Sequence, residues 1–245
     1  MSRRHLKYDL QVVVVFALLA SLLVVMILRH SSPLRKTAGL KLSSEVVKPF
    51  DFSKEDALKE WEEKVFSGRV VYRVEKDSDL SYVKASSDAS ASALYYRIKM
   101  DAKTRRPTVS WKWRAEKFPV KKLRESLETE NEDDFAARVY VIFPAVFFTN
   151  SKVLEYVWAE TIPVGTIGTS HYSKNIKLMV LRSGASKDWA IEERDIYEDY
   201  KKMFGRTPEY NIGAVAFMTN AEHTRTGAEG VYDDITLGYR GGDRT

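Results

Sequence analysis

Basic and aromatic side chains recur on strand-like runs of this sequence and could recognise a polar ligand. The candidates for ligand binding are Lys112, Arg114, Arg138, Tyr140, Trp158 and Arg182. Guanidinium and ammonium groups beside a tyrosine suit carboxylate, phosphate or sugar hydroxyl groups. The alternative is that the cations pair with Glu155, Glu160 or Glu193 across neighbouring strands. Both interpretations predict that these residues lie on the faces of a β-sheet.

The sequence also holds two aromatic-x-aromatic patterns, which begin at Trp111 and Tyr156. Such a pair can stack on sugar rings or fill a core, and aromatic rings usually bury their large apolar area inside a protein. We favour the core for the first pattern. Lys112 and Arg114 then point outward, where we expect them to share one sheet with Arg138 and the tyrosine two residues after it.

A catalytic interpretation depends on Glu193, Asp195 and Glu198, which fit an E-x-D-x-x-E pattern. In some jelly-roll glycosidases that retain configuration, two carboxylates about 5 Å apart act as nucleophile and acid/base. All three acids would have to point into one cleft, but we expect the strand to stop near Asp195 and a helix to follow. We therefore predict no catalytic residues, and a glycoside hydrolase that uses Glu193 and Glu198 remains an alternative.

The sequence predicts neither a metal site nor a cofactor. The four histidines are scattered and lack paired-histidine spacing, which argues against a zinc site. The chain has no cysteine, which excludes disulfides, thiolate metal sites and cysteine nucleophiles. The acidic pairs that begin at Asp133 and Asp233, together with Asp51, could supply oxygens to a structural calcium. Solvated or turn acids are the favoured interpretation of these aspartates.

Short β-like runs at regular spacing must position the candidate residues. The clearest run is 133–143, where Ala137, Val139 and Val141 alternate with Arg138 and Tyr140. This period of two places the first set in a core and the second on the other face. The ten predicted strands are 69–74, 80–86, 93–100, 108–114, 135–143, 153–159, 177–183, 189–195, 211–219 and 230–239. Without strand–helix alternation, they predict a mainly β fold, an antiparallel β-sandwich or jelly roll.

Short helices are predicted between these strands. Residues 53–61 predict a helix that plugs one end of the sandwich, and residues 120–130 predict a charged helical insertion. Residues 196–204 predict an amphipathic helix with Gly205 as its C-cap. The glycine-rich segment 162–172 lacks the spacing of a phosphate-binding loop and predicts a rim loop.

Residues 10–28 are apolar apart from Gln11 and Ser21, and they predict one transmembrane helix. At about 1.5 Å each they span the ~30 Å hydrocarbon core of a bilayer. A cleaved signal peptide is the rival interpretation, but the residues before Arg29 form a poor cleavage site. We therefore expect an uncleaved signal anchor that contacts membrane lipid.

The anchor divides the chain into five parts. We expect a cytoplasmic stub at 1–9, the anchor at 10–28, a stalk at 29–48, a β-sandwich domain at 49–240 and a tail at 241–245. Almost no chain precedes the anchor and a whole domain follows it. We therefore expect a single-pass protein of the cell inner membrane, with its C-terminal domain in the periplasm.

The charge distribution argues against nucleic acid as a partner. The formal net charge is +5, and residues 1–40 account for all of it, with six basic residues and one acid. The remaining 33 basic and 33 acidic residues balance. A nucleic-acid-binding domain would carry its own basic surface. The flanking charges instead suit lipid headgroups.

Several segments together resemble a bacterial family known only as domain of unknown function number three thousand and forty-seven. The matching segments are WEEKVFSGRVVYRV from Trp61, VSWKWR from Val109, DDFAARVYVIF from Asp133, YVWAETIPVG from Tyr156, VLRSG from Val180, and MTNAEHT from Met218 through to the YDDI that ends at Ile235. The resemblance implies an exported protein with a β-sandwich like that of carbohydrate-binding modules. It implies no activity.

The chain departs from this family at two places. The family pattern after Met218 is usually richer in acids, an MTDTDNT-like run, so the resemblance implies no metal role at residues 219–224. Members usually carry a signal peptide, and an uncleaved anchor would differ from that.

The leading functional expectation is a membrane-anchored, non-catalytic domain that binds a glycan or another cell-envelope component. One alternative is an accessory subunit of a membrane protein complex, in which residues 10–28 make the contact. The other alternative is the glycoside hydrolase described above.

Overall fold

The computed structural model describes residues 45–54, 56–77, 80–129 and 133–244. Within these ranges the chain forms two sheets. Sheet 1 contains β1 (Glu45–Phe50), β3 (Val71–Asp77), β4 (Leu80–Asp88), β6 (Arg105–Lys117), β11 (Ala190–Asp195) and β13 (Gly227–Arg244). Sheet 2 contains β2 (Glu62–Ser67), β5 (Ala91–Met100), β7 (Ala137–Phe143), β8 (Lys152–Ala159), β9 (Ile167–Thr169), β10 (Ile176–Ser183) and β12 (Ile212–Asn220).

The strand order of sheet 1 is β11-β6-β13-β4-β3, and β1 also pairs with β13. The strand order of sheet 2 is β2-β5-β12-β7-β8-β10-β9. All pairs in the two sheets are antiparallel except β8 with β10, which is parallel. The expected mainly β sandwich is therefore confirmed, with this one parallel pair as a difference.

The two sheets pack through the inward residues of their strands. Trp111 and Trp113 are 1% and 0% exposed, so the core interpretation of this pair is correct. Their ring centroids lie 5.4 Å from that of Tyr156 and 5.7 Å from that of Trp158, respectively. Aromatic pairs at these separations add to the energy of area burial. The second aromatic pattern thus also faces the core.

All ten predicted strands are present, and three further strands were not predicted. Strand β1 begins at Glu45, inside the segment expected to be a stalk, and β13 runs to Arg244. Strand β2 follows a single 3₁₀ turn, Ala57–Glu60, where the sequence predicted a helix. Its Asp56 N-cap makes no side-chain capping bond, so little favours a longer helix.

The helix predicted from 196 is confirmed as α1 (Ile196–Phe204). Asp195 Oδ1 accepts a hydrogen bond from the Glu198 N–H at 3.1 Å, which caps the N-terminus. Gly205 has a φ of 71° and donates its N–H to Lys201 O, which ends the helix. Ile196, Tyr200 and Met203 are buried, so α1 packs its apolar side onto the sandwich core.

The connection between β6 and β7, residues 118–136, crosses the outer face of sheet 2. Its described part contains no helix, so the insertion predicted at 120–130 is wrong there. Leu127 and Phe135 from this connection pack with Val157, Ile162 and other residues in a second apolar cluster. Because this cluster covers the sheet, charged residues beneath it are withdrawn from solvent.

Residues 10–28 lie outside the described residues. Among the described residues, no helix combines the length and the apolar character needed to span a bilayer.

Candidate functional site

The outer face of sheet 1 carries a half-buried aromatic pair beside cations. Tyr82 on β4 and Trp189, just before β11, contact edge to face with centroids 5.5 Å apart. The Arg114 guanidinium lies 5.2 Å from the Trp189 ring centroid. Arg114 also donates to Lys187 O at 3.0 Å and to Glu116 Oε1 at 2.5 Å. These contacts fix the guanidinium plane against the indole.

Lys112 completes this surface, which we call the sheet 1 patch: Tyr82, Lys112, Arg114 and Trp189. The Lys112 ammonium forms an ion pair with Asp234, in a bulge of β13 where Asp234 has a φ of 47°. The bulge turns this carboxylate toward the lysine. Burial, followed by the charge of Glu75, raises the pKa of Tyr82, so its hydroxyl stays protonated and can donate. The patch offers rings for stacking and charged groups for polar substituents.

Arg138 lies elsewhere, in a buried ionic cluster on the outer face of sheet 2. It donates from Nε to Glu155 Oε1 at 2.5 Å and from Nη2 to Asp133 Oδ1 at 2.7 Å. Nη1 donates to Asp133 O at 2.9 Å and to Asn220 Oδ1 at 3.0 Å. The Arg138 residue is only 3% exposed. All three guanidinium nitrogens therefore have protein acceptors, and no donor is left for a ligand.

Two acids share this one guanidinium. Burial raises the pKa of Glu155 to about 7, although the charge and hydrogen bond of Arg138 oppose the rise. Burial, desolvating the positive charge, lowers the pKa of Arg138, but the charges of Asp133 and Glu155 outweigh it and raise that pKa. The cluster is an example of a buried salt bridge, in which removing one partner leaves an uncompensated charge.

A second group of acids adjoins this cluster where the β12–β13 connection folds back. Asp134, Glu222 and His223 hold potential metal-ligand atoms within 4.8 Å of one another. These are the described residues that could hold a divalent cation. Asp134 Oδ2, however, accepts the Thr224 N–H at 2.7 Å, and the Tyr172 hydroxyl lies 2.6 Å from His223 Nε2. The ligand atoms thus already have protein partners that fix the loop.

The electrostatics of this loop raise the pKa of its histidine. Burial by itself lowers the pKa of His223, but the hydrogen bond and charge of Glu222, with the charges of Asp134 and Asp133, raise it overall. Burial raises the pKa of Glu222. Two other aspartates that the sequence suggested as calcium ligands also have protein partners. Asp51 accepts a hydrogen bond from Ser53, and Asp234 pairs with Lys112.

The structure does not bring the six predicted binding residues together. Lys112 and Arg114 lie on β6 in sheet 1, whereas Arg138 and Tyr140 lie on β7 in sheet 2. The expectation that they share one sheet is wrong, because β6 and β7 are joined by a long connection that passes between sheets. Tyr140 is half-buried beside Arg138.

Trp158 and Arg182 take structural positions. Trp158 is 2% exposed and donates its Nε1 to Gly184 O at 2.8 Å, so it belongs to the core. Arg182 donates from Nε to Glu192 Oε1 at 2.6 Å, and Glu192 also accepts from Trp113 Nε1 at 3.1 Å. The alternative of cross-strand ion pairing thus holds for Arg182, with an acid that the sequence did not suggest.

The three acids of the glycosidase pattern lie on different elements. Glu193 is on β11 and is exposed, Asp195 caps α1, and Glu198 is in the first turn of α1. Glu198 and Asp195 both pair with Arg106. As predicted, the strand stops at Asp195 and a helix follows, so the acids do not project from one strand.

Sequence reasoning missed Tyr82 and Trp189. Tyr82 alternates with Lys84 and Ser86, which marks an outward face, while Val83 faces the core. Trp189 stands alone between polar residues and the start of a strand, unlike the paired tryptophans of the core. An isolated tryptophan in a polar segment was the feature of the sequence that could have indicated a surface aromatic residue.

The fold and its outer-face patch define a β-sandwich domain with an exposed polar and aromatic sheet surface. The model of the DUF3047 family, described as protein of unknown function, matches residues 59–236. The chain therefore belongs to this family, as the sequence resemblance indicated. No curated protein matches the chain.

Solved structures with a similar fold include several carbohydrate-binding modules. TmCBM61 in complex with β-1,4-galactotriose is 12% identical, with a TM-score of 0.37 over 78% of this chain and 91% of that one. The family 30 carbohydrate-binding module of a cellulosomal cellulase of Clostridium thermocellum is 7% identical, with a TM-score of 0.40 over 80% and 100%. The cellulose induced protein Cip1 is 11% identical, with a TM-score of 0.43 over 78% and 96%.

Proposed function

We propose that this chain is a non-catalytic glycan-binding domain that residues 10–28 hold on the outer face of the cytoplasmic membrane. The observation that carries the proposal is the sheet 1 patch, in which Tyr82 and Trp189 meet edge to face beside the Arg114 guanidinium. Aromatic rings with one polar end suit a ligand that has both apolar faces and hydroxyl groups.

The charged neighbours of the patch narrow the ligand class. Lys112 and Arg114 supply donors, and Asp234 and Glu116 supply acceptors, all at the edge of the aromatic pair. Sugar hydroxyls can both donate and accept, so a neutral or acidic oligosaccharide fits this mixture. The Arg114 guanidinium adds a positive charge that suits a carboxylate on the sugar.

A glycan array tests the proposal with the full-length chain in lipid nanodiscs. We expect binding to at least one oligosaccharide class, and a loss of affinity of at least about tenfold for Trp189→Ala and Tyr82→Ala, as for aromatic anchors in other interfaces. Tyr197→Ala is the matched control. The Tyr197 ring centroid also lies 5.2 Å from an arginine guanidinium, that of Arg106, but Tyr197 is on α1 and outside the sheet 1 patch. Absence of any glycan binding would refute the function, and equal binding by all variants would refute the site.

A further inference from the structure

The loop between β7 and β8, residues 144–151, presents an apolar tip to solvent. Val146 is 84% exposed and Phe147 is 73% exposed, the two highest values among the large hydrophobic residues that the structure describes. Single exposed apolar residues are normal, but adjacent ones at a loop tip are a feature of interaction surfaces. We call Val146 and Phe147 the apolar tip.

Strand register places the apolar tip at the end of the sandwich where the described chain begins. Strand β7 ends at Phe143 beside the start of β12, which in turn pairs with the end of β5 at Met100. The turn after β5 contacts sheet 1 here, since the Asp101 N–H donates to the Tyr239 hydroxyl at 2.7 Å. Tyr239 pairs with Glu45, the first residue of β1. Residues 1–44 therefore join the domain at the end that carries the tip.

Basic side chains lie near the base of this loop. Lys152 begins β8 directly after the loop, and its ammonium bonds to Asn175, whose amide donates to Thr149 O in the loop. Burial, followed by the positive charge of Arg206 and then that of Lys174, lowers the pKa of Lys152, with Glu209 opposing. Lys152 is itself buried and Arg206 pairs with Glu209 at 3.0 Å, so of these three groups the exposed Lys174 is the one whose charge is open to a bilayer. Juxtamembrane basic residues are attracted to anionic lipid headgroups.

The length of chain before Glu45 keeps a bilayer within reach of this end. Sixteen residues, 29–44, separate the predicted membrane segment from β1. Sixteen residues reach at most about 55 Å when extended, and about 20–25 Å as a flexible coil. Of the partners that would suit an apolar tip near an exposed lysine, an anionic lipid surface is the one that the predicted anchor itself brings to this end.

We propose that this end of the sandwich docks on the bilayer, with Val146 and Phe147 inserted among the headgroups and the exposed Lys174 on anionic lipid. The inference rests on the membrane anchoring within the proposed function. It orients the domain, because the sheet 1 patch then lies on a side of the sandwich and stays open to the periplasm.

Two matched single-cysteine variants test the docking, because the chain has no cysteine of its own. Val146→Cys lies in the tip, and Val164→Cys lies in the connection after β8, at the opposite end; Val164 is 62% exposed. Each full-length variant carries an environment-sensitive dye and is reconstituted into phosphatidylcholine vesicles with or without phosphatidylglycerol. Doxyl-labelled lipid in both leaflets serves as the quencher.

We expect blue-shifted emission and a large loss of intensity for the dye at 146, greater with phosphatidylglycerol, and little change for the dye at 164. Equal quenching at both positions in floated vesicles would overturn the docking while leaving the anchor intact. Emission at 146 that shifts only in native membranes would assign the tip to a membrane protein and overturn the lipid assignment. A chain that fails to float with vesicles would refute the anchoring, and this inference with it.

Discussion

Arg138 organises the covered side of sheet 2 at the scale of single residues. Its side chain bonds to Asp133, Glu155 and Asn220, and its backbone N–H donates to the Tyr232 hydroxyl at 3.2 Å. The residue therefore joins the loop before β7, the neighbouring strands of sheet 2 and the facing strand β13. Its role in this structure is to hold elements together.

We expect Arg138→Ala to lower the free energy of unfolding by about 3–5 kcal/mol, because it strands two buried carboxylates. Arg206→Ala is the control: both side chains of its pair with Glu209 are nearly half exposed, and a loss of about 0–1 kcal/mol is expected. Denaturant titration of both variants measures the difference. Equal losses would contradict a structural role for the Arg138 cluster.

The buried carboxyl group of Asp233 makes the stability of the fold depend on pH. The residue is 1% exposed, and its Oδ1 has no hydrogen-bond partner among the described residues. Burial raises the pKa of Asp233 to about 6; the Asp234 N–H opposes the rise, and the charges of Asp234 and Asp51 add to it. The pKa of Asp233 in the folded state is therefore higher than its value of about 3.9 in the unfolded chain. At a pH between these two pKa values, the carboxyl is protonated in the folded state and ionised in the unfolded state.

The contribution of Asp233 to stability should therefore fall as the pH rises from about 4 to about 6, by an amount on the order of 2 kcal/mol. Asp233→Asn should remove this slope from the unfolding curve, because the amide does not ionise. Asp234→Asn, which loses the pair with Lys112 and a smaller contribution to the pKa of Asp233, should keep most of it. Melting curves at closely spaced pH values measure the effect. An Asp233→Asn variant whose stability has the same pH dependence as the wild type would contradict the burial of an uncompensated carboxylate.

At the scale of elements, the connection 118–136 decides which sheet face is open. The connection packs close to β9 at Gly168. A Cβ atom on residue 168 would lie only 2.6 Å from the Cβ atom of Leu127. No real side chain tolerates that separation, so the glycine permits the packing of Leu127 over sheet 2.

We expect Gly168→Ala to cost about 1–3 kcal/mol of stability and to expose the connection to protease. The double variant with Leu127→Ala tests the cause, because removing the leucine side chain relieves the clash. The cost of Gly168→Ala should therefore be smaller in the Leu127→Ala background. A cost that is the same in both backgrounds would show that the two residues are not in contact.

Alternation of residue types was sufficient to predict the strands that face the core. It predicted Trp111 and Trp113 as buried, and it predicted the end of β11 and the start of α1. It missed β1 and β2, where charged residues interrupt the period. The short edge strand β9, with three residues, is too brief to show a pattern.

The candidate site was less predictable because alternation specifies a face and not what covers it. Lys112 and Arg138 both point away from the core, yet only Lys112 stays near solvent, since a distant segment folds over Arg138. The patch itself depends on Tyr82 and Trp189, which are 107 positions apart in sequence and meet only through the strand order of sheet 1. A contact between residues so far apart in the sequence produces no pattern in the residues around either of them.

At the scale of the whole molecule, the predicted anchor region and the domain differ in net charge. The formal charge of +5 belongs to residues 1–40, and the domain is neutral as a whole. We expect the full-length chain to remain in membranes after carbonate extraction, because about 20 apolar residues suffice to span a bilayer. A variant with Val14→Arg and Leu22→Arg should be released, since a charge at the helix centre costs about 2.5–3.5 kcal/mol. Release of the unaltered chain by carbonate would refute the anchor.

The central claim is that a glycan stacks on the sheet 1 patch, and Trp189 reports on it directly. The chain has five tryptophans, of which Trp61, Trp111, Trp113 and Trp158 are buried and Trp189 is half-buried. Fluorine NMR of the full-length chain labelled with 5-fluorotryptophan should give five resonances, assigned with Trp189→Phe. The account predicts that a bound oligosaccharide shifts the Trp189 resonance and leaves the other four in place. A ligand that shifts a buried tryptophan, or binds without moving the Trp189 resonance, would contradict it.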